Sequence, residues 1–221
     1  MEIKAAVLVF PGTNGERDAY FALQRNNFSV DYIWHDFDKS LEYDLICLPG
    51  GASFGDYLRP GAFAKHSEVT KSVEKYVSKN RGLVIGIGNG FQVLTEAGIL
   101  PGALALNESN SFICKYVLVE ITNFETPFTN SIISDEKIFK FPIACRYGRY
   151  EVNEKDINEN QIVLKYVQNP NGSYENIAGI VNKDMNVFGT MLHIERAAHP
   201  LFGYGENNPI FESIRRFLSR E

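Results

Sequence analysis

The chain has 221 residues, 44% of them hydrophobic, and a formal net charge of −5 with both signs interspersed, which suits one large α/β domain or two small ones around a real core. That charge excludes the electrostatic footprint of a nucleic-acid binder and offers no basic run to a membrane surface. The cysteines Cys47, Cys114 and Cys145 are odd in number and include no CxxC pair, so neither a disulfide framework nor a metal site is indicated, and a reducing, cytoplasmic location is expected.

The opening stretch MEIKAAVLVFPG is too short an apolar run to span a bilayer and reads as a first strand over 3–10, ending in the turn PGTNGERD. A helix over about 16–24 follows, with Asn14 as a candidate cap and acids in its first turn. FSVDYIWHD gives a strand over 28–34, and YDLICLPGG a strand over 45–48 closed abruptly by Pro49, Gly50 and Gly51. Apolar residues at Val69, Val73, Tyr76 and Val77 carry helical spacing over 65–79. LVIGIGNGFQVL, 83–94, then reads as a buried strand running straight into a helix through Gly86, Gly88 and Gly90. Beyond Leu100 the pattern shifts to KYVLVEI, KIFKFPI and QIVLKYV, which alternate and are expected to be antiparallel in a side sheet. NVFGTML is a last parallel strand delivering HIER, and a terminal helix is expected over 210–218.

Strands alternating with helices, without a polar face, predict an α/β fold with a mostly parallel central sheet, helices on both faces and a small antiparallel side sheet. Ligands of such folds sit at the carboxyl ends of the strands, where each of these glycine-rich turns falls. GIGNGF there has three readings. As a dinucleotide fingerprint it carries Phe91 where a small residue is required. As a tight turn it needs no function. As a strand-to-helix elbow it would present a nucleophile at its crown, where Gly88 has no side chain to offer. His193 and Glu195 in LHIER are a base and an orienter in a workable relation, because alternate residues of an extended segment point the same way; taken alone they also read as ordinary loop polar residues. Pro49–Gly51 would bring backbone N–H groups close to a developing oxyanion, with the amide of Asn89 as a second donor, or would simply be a β-to-α turn. His35, His66 and His199 read as surface residues.

Taken together, PGTNGERD, LPGGASFGDYLRPG, GIGNGFQVL, FICKYV, the PIA and GRY of PIACRYGRY, and LHIERA resemble the glutaminase subunits of phosphoribosylformylglycinamidine synthase, which are class I (triad) glutamine amidotransferases. The resemblance runs nearly end to end. It implies a single type 1 amidotransferase domain over 1–221 with a flavodoxin-like sheet, no cofactor or metal in this chain, and L-glutamine as substrate. In that family a cysteine attacks the side-chain amide of glutamine, forming a thioester and releasing ammonia. Carried across, the resemblance places the nucleophile at Gly88, the base at His193 and the orienter at Glu195. It also implies that Gly50, Gly51 and Asn89 line the oxyanion site and that Gln92 helps hold the substrate. The ammonia would pass to a large synthetase subunit, with a small third subunit as a further partner, and that subunit would use ATP and Mg to make the amidine of formylglycinamide ribonucleotide. Neither a nucleic acid nor a membrane is implied.

Four departures from the family pattern stand out. Gly88 replaces the nucleophilic cysteine, Gly15 stands where the family often has cysteine, Cys145 and Arg146 interrupt a stretch usually read as PIAHGEGRY, and HIER replaces HPER. The first removes the thiolate, and Cys47, Cys114 and Cys145 are poor substitutes because none follows a strand into a helix. The expectation is a glutaminase subunit that is inactive or nearly so; the alternative is a non-enzymatic glutamine-binding or assembly subunit of the same synthase.

Overall fold

The continuous apolar runs of the amino-terminal half, Ile3–Val9, Leu45–Leu48 and Leu83–Ile87, become strands buried on both faces. In β1 (Ile3–Val9), Ala5 and Val7 enter one apolar layer while Ala6 and Leu8 enter the other. A strand divided between two cores has no polar side to show, which is why these segments read as continuous hydrophobic runs. One layer is completed by α1 (Glu16–Arg25) through Ala19, Ala22 and Leu23. The opposite layer is completed by α2 (Glu68–Ser78) through Val69, Val73 and Tyr76. The structure is a computed structural model, and it describes every residue except 1, 134, 136, 200, 202, 205–207, 220 and 221.

The remaining elements are β2 (Phe28–Trp34), β3 (Leu45–Leu48), β4 (Leu83–Ile87), α3 (Asn89–Glu96), β5 (Ala103–Ala105), β6 (Ile113–Ile121), β7 (Ile138–Cys145), β8 (Arg149–Glu151), β9 (Ile162–Tyr166), β10 (Ile177–Val181), β11 (Val187–Thr190), α4 (Ile194–Ala197) and α5 (Pro209–Ser219). Nine strands form one sheet in the order β2-β1-β3-β4-β11-β10-β9-β6-β7. The first five are mutually parallel, and every pairing from β11 to β7 is antiparallel. The chain places β2 on one side of β1 and β3 on the other, so the order reverses beside β1, where open α/β sheets bind ligands.

Several expectations are corrected. KYVLVEI, KIFKFPI and QIVLKYV are antiparallel, but they extend the central sheet; the separate antiparallel pair is β5 with β8. The three strands attach because β10, which the sequence reading passed over, pairs with β11 and supplies an antiparallel edge. Asn14 does not cap α1. Gly15 holds that position without a side-chain bond, and its N–H donates to the Gly50 carbonyl at 3.1 Å, tying the first turn to the PGG turn. The helix expected from residue 65 begins at Glu68 after a separate 3-10 turn, Ala64–His66. Of the three histidines expected at the surface, His66 is exposed and His35 and His199 are half-buried, with His35 meeting Phe54 edge-on at 5.5 Å.

The elbow is shaped by close packing. A Cβ on Gly90 would collide with the Leu48 carbonyl, so α3 lies directly on the end of β3. Phe91 and Leu94 then bury themselves in the layer that also holds Val69 and Val73.

Candidate active site

The carboxyl ends of β3, β4 and β11 are neighbours in the sheet, and three of the turns singled out in the sequence leave from them side by side. Gly88, at the crown after β4, adopts φ +53° and ψ −108°, a conformation that strains any residue with a side chain. Its backbone is satisfied, its N–H donating to the Thr190 carbonyl at 2.8 Å and its own carbonyl accepting from the N–H of Gln92 at 3.2 Å. A Cβ placed on Gly88 would stand 3.4 Å from Cε1 and 3.7 Å from Nε2 of His193, and 3.8 Å from the Cα of Gly50. The crown therefore has room for a side chain and aims it at the imidazole.

His193 and Glu195 do meet, although not for the reason their spacing suggested. They are not on an extended segment: His193 occupies the cap position of α4 and Glu195 lies in its first turn. The turn folds the carboxylate back so that Nδ1 of His193 and Oε1 of Glu195 are 2.6 Å apart. Both side chains are almost wholly buried. A carboxylate at Nδ1 accepts a hydrogen bond from Nδ1–H and so favours the tautomer whose Nε2 lone pair faces Gly88. The N–H of His193 donates to Pro142 at 2.8 Å and that of Ile194 to Leu192 at 3.0 Å; the second bond is one that the proline of HPER would not make.

Gly50 is required for this approach, since a Cβ there would lie 2.8 Å from Cε1 and 3.2 Å from Nδ1 of His193. Asn89 opens α3, so its N–H has no acceptor within the helix and is placed beside the crown. Gly51 and Asn89 both line the cleft in front of Gly88, an opening of about 310 Å³ that also touches Gln92, Phe112 and Met191.

The side chains of Asn89 and Gln92 form the floor of that cleft. Asn89 accepts the N–H of Ser53 at 3.0 Å and donates from Nδ2 both to Asp56 Oδ1 at 3.1 Å and to Gln92 Oε1 at 3.0 Å. Gln92 in turn donates from Nε2 to the Tyr147 carbonyl at 2.6 Å. One unbroken chain of hydrogen bonds thus joins the loop after β3 to the loop between β7 and β8. The Asp56 carboxyl is pushed up to about 6 because burial disfavours its charge more than the Asn89 hydrogen bond favours it. Phe54, Gly55 and Asp56 all have positive φ, so the loop presents this carboxylate from a strained conformation.

Sequence reasoning assigned no role to Asp56 or Phe112 as wall residues, although both lie in stretches that carry the resemblance, GDYLRPG and FICKYV. Among the cysteines, Cys47 is fully buried in β3 and Cys114 is exposed on β6. Cys145 borders the cleft, and burial pushes its thiol up to about 12, so it is protonated and not nucleophilic at neutral pH. Among the described residues no group of three or more His, Cys, Asp or Glu is arranged to hold a metal ion, and no helix is long and apolar enough to cross a membrane.

A base and its carboxylate facing the crown of an elbow, with a glycine turn alongside, describe a glutamine amidotransferase scaffold. The chain matches the CobB/CobQ-like glutamine amidotransferase domain over residues 2–209 and belongs to that family. Along its full length it is similar to phosphoribosylformylglycinamidine synthase subunit PurQ of Thermotoga maritima, with 47% identity over 220 residues covering 100% of both chains. In three dimensions it matches a chain in the structure of PurLQS from Thermotoga maritima with a TM-score of 0.90 and 44% identity, covering 99% of this chain and 100% of that one. A glutamine amidotransferase from Thermotoga maritima matches with a TM-score of 0.63 over 100% of this chain and 97% of its own, and at 17% identity it attests to the fold alone.

Proposed function

We propose that this chain is the glutaminase-type subunit of a phosphoribosylformylglycinamidine synthase, one amidotransferase domain over residues 1–221 working in the cytoplasm, and that Gly88 leaves it without a nucleophile. The observation that carries the reading is the open direction at Gly88, which aims a side chain at Nε2 of a buried His193 whose other nitrogen is held by Glu195. A thiol on that vector would lose its proton to His193 and attack the side-chain amide carbon of glutamine. The N–H groups of Gly51 and Asn89, beside Gly50, would meet the developing oxyanion, and Gln92 would help seat the substrate. His193 would then return the proton to the departing ammonia, and water would release glutamate from the thioester.

With glycine at the crown, only water is left to attack, and the remaining base and oxyanion donors supply a small part of the rate. The chain then binds glutamine and a large synthetase subunit, with a small third subunit, without delivering ammonia. ATP and Mg act on the synthetase side, and this chain carries no cofactor of its own. The test is to reconstitute the chain with its synthetase and offer either ammonium salt or glutamine as nitrogen donor. Ammonium salt should support amidine formation and glutamine should not; glutamine-dependent turnover at about 1 per second or faster would refute the proposal.

A further inference from the structure

The cleft in front of Gly88 has a charge inventory that matches one end of an α-amino acid. Apart from His193, its lining holds one acidic and one basic side chain, Asp56 and Arg146. The side chain of Arg146 is exposed and makes no hydrogen bond or ion pair with another described residue. Among the described residues Asp56 accepts one hydrogen bond, from Asn89 through Oδ1, and its Oδ2 has no partner there. Each of the two residues is anchored beside the reaction centre through the floor of the cleft. Asp56 is tied to the residue directly after the crown, and Arg146 immediately precedes Tyr147, whose carbonyl receives Gln92. The segment carrying Arg146 is pinned from behind by the buried Asn107, whose N–H donates to the Arg146 carbonyl at 2.9 Å, whose Nδ2 donates to the Cys145 carbonyl at 2.9 Å, and whose Oδ1 accepts from the N–H of Gly148 at 3.0 Å. The residues that bear the two charges thus stand at the two ends of one hydrogen-bonded floor, with Pro60, Phe112 and Met191 as apolar wall beside them.

Resting on the functional reading above, we propose that Asp56 receives the α-ammonium of glutamine and Arg146 its α-carboxylate, so that this pair sets the selectivity of the cleft for a free α-amino acid. A half-buried carboxylate that resists ionisation is relieved by an incoming cation, and the raised pKa of Asp56 is consistent with that role. An unpaired guanidinium is the group best shaped for a carboxylate. Arg146 is one of the residues that interrupts the stretch usually read as PIAHGEGRY, so this half of the recognition belongs to this chain.

Calorimetric titration of the intact chain tests the assignment, and Gly88 makes it convenient because bound glutamine is not consumed. The probes are L-glutamine, its α-carboxamide (L-glutaminamide), which lacks the carboxylate, and 4-carbamoylbutanoate, which lacks the ammonium. Arg146→Ala should weaken glutamine about tenfold or more, the worth of a charged hydrogen bond, while leaving the α-carboxamide unchanged. Asp56→Asn should weaken glutamine by a similar factor and leave 4-carbamoylbutanoate unchanged. Arg146→Lys should recover part of the loss. A variant that weakens its matched analogue as much as glutamine acts on the shape of the cleft, and that result overturns the assignment. Glutamine binding that neither variant changes overturns it as well, with the functional reading left standing. An unmodified chain that binds no glutamine defeats the functional reading and the assignment with it.

Discussion

Replacing Gly88 by cysteine should give a working glutaminase at a measurable cost in stability. Steric crowding adds nothing to that cost, because the nearest atom to a Cβ at this point is Cε1 of His193 at 3.4 Å, an ordinary contact. The cost is conformational: φ +53° with ψ −108° is outside the range of residues with side chains, and holding cysteine there takes about 1–3 kcal/mol. The gain is chemical. The new thiol would sit at the amino end of α3 within reach of His193, both of which favour the thiolate. Loss of a nucleophile from a triad removes most of the rate, so its return should raise turnover on the order of 10³-fold or more. The assay is ammonia release from glutamine in complex with the synthetase, run beside urea melts of both proteins. Gly88→Ala is the control that carries the strain without the thiol: it should lose the same stability and gain no activity. A Gly88→Cys protein that folds, binds its partner and leaves glutamine intact would refute the reasoning and would place the defect at Cys145, Arg146 or Ile194.

Gly50→Ala should push the His193 ring out of place, since a Cβ would stand 2.8 Å from Cε1; in the Gly88→Cys background, ammonia release should be abolished, and melts should show a loss of about 1–3 kcal/mol from overpacking. Asp56 is pushed up from 3.8 to about 6 in the folded protein, so its contribution to stability is fully present below about pH 4 and lost as pH rises through about 6. The shift corresponds to about 3 kcal/mol, which solvent screening of a half-exposed group reduces to about 1 kcal/mol. Asp56→Asn should therefore be more stable than the parent at pH 7, and denaturant melts across pH should show that advantage shrinking to a pH-independent remainder below about pH 4. Brief treatment of the native protein with iodoacetamide at pH 8 should label Cys114, which is exposed, and spare the buried Cys47 and Cys145; mass spectrometry showing an adduct on Cys145 would contradict its burial and raised pKa.

The parallel half of the sheet was legible because strands sandwiched between two apolar layers leave an unbroken hydrophobic signal, and β1, β3 and β4 fall where those runs predict, while the exposed edge strand β2 falls where its mixed run FSVDYIW predicts. The antiparallel half was half-legible: β6, β7 and β9 alternate visibly, but nothing local says which strand they join. That depends on β10, five buried residues with a glycine at the centre, IAGIV, too short and too uniformly buried to show a period. In the site, Gly88, His193 and Gly50 stood out because each is a residue type that a strand end needs for a stated reason. The His193–Glu195 pair was anticipated through the wrong local geometry, an extended segment in place of a helical turn, and the two happen to bring the same residues together. Asp56 was hidden because its place in the cleft comes from a strained loop whose course is fixed by Asn89, 33 residues away in sequence.

The seating of Gly90 on the Leu48 carbonyl separates what gives the elbow its shape from what gives it reactivity. A lineage no longer selected for ammonia delivery loses no architecture when residue 88 becomes glycine, and it recovers the stability, about 1–3 kcal/mol, that a side chain at the crown takes away. Drift and stability then push the same codon one way while selection for turnover pushes it the other. The seat of the elbow, Gly90 on Leu48, is thus indifferent to whether the crown carries a nucleophile.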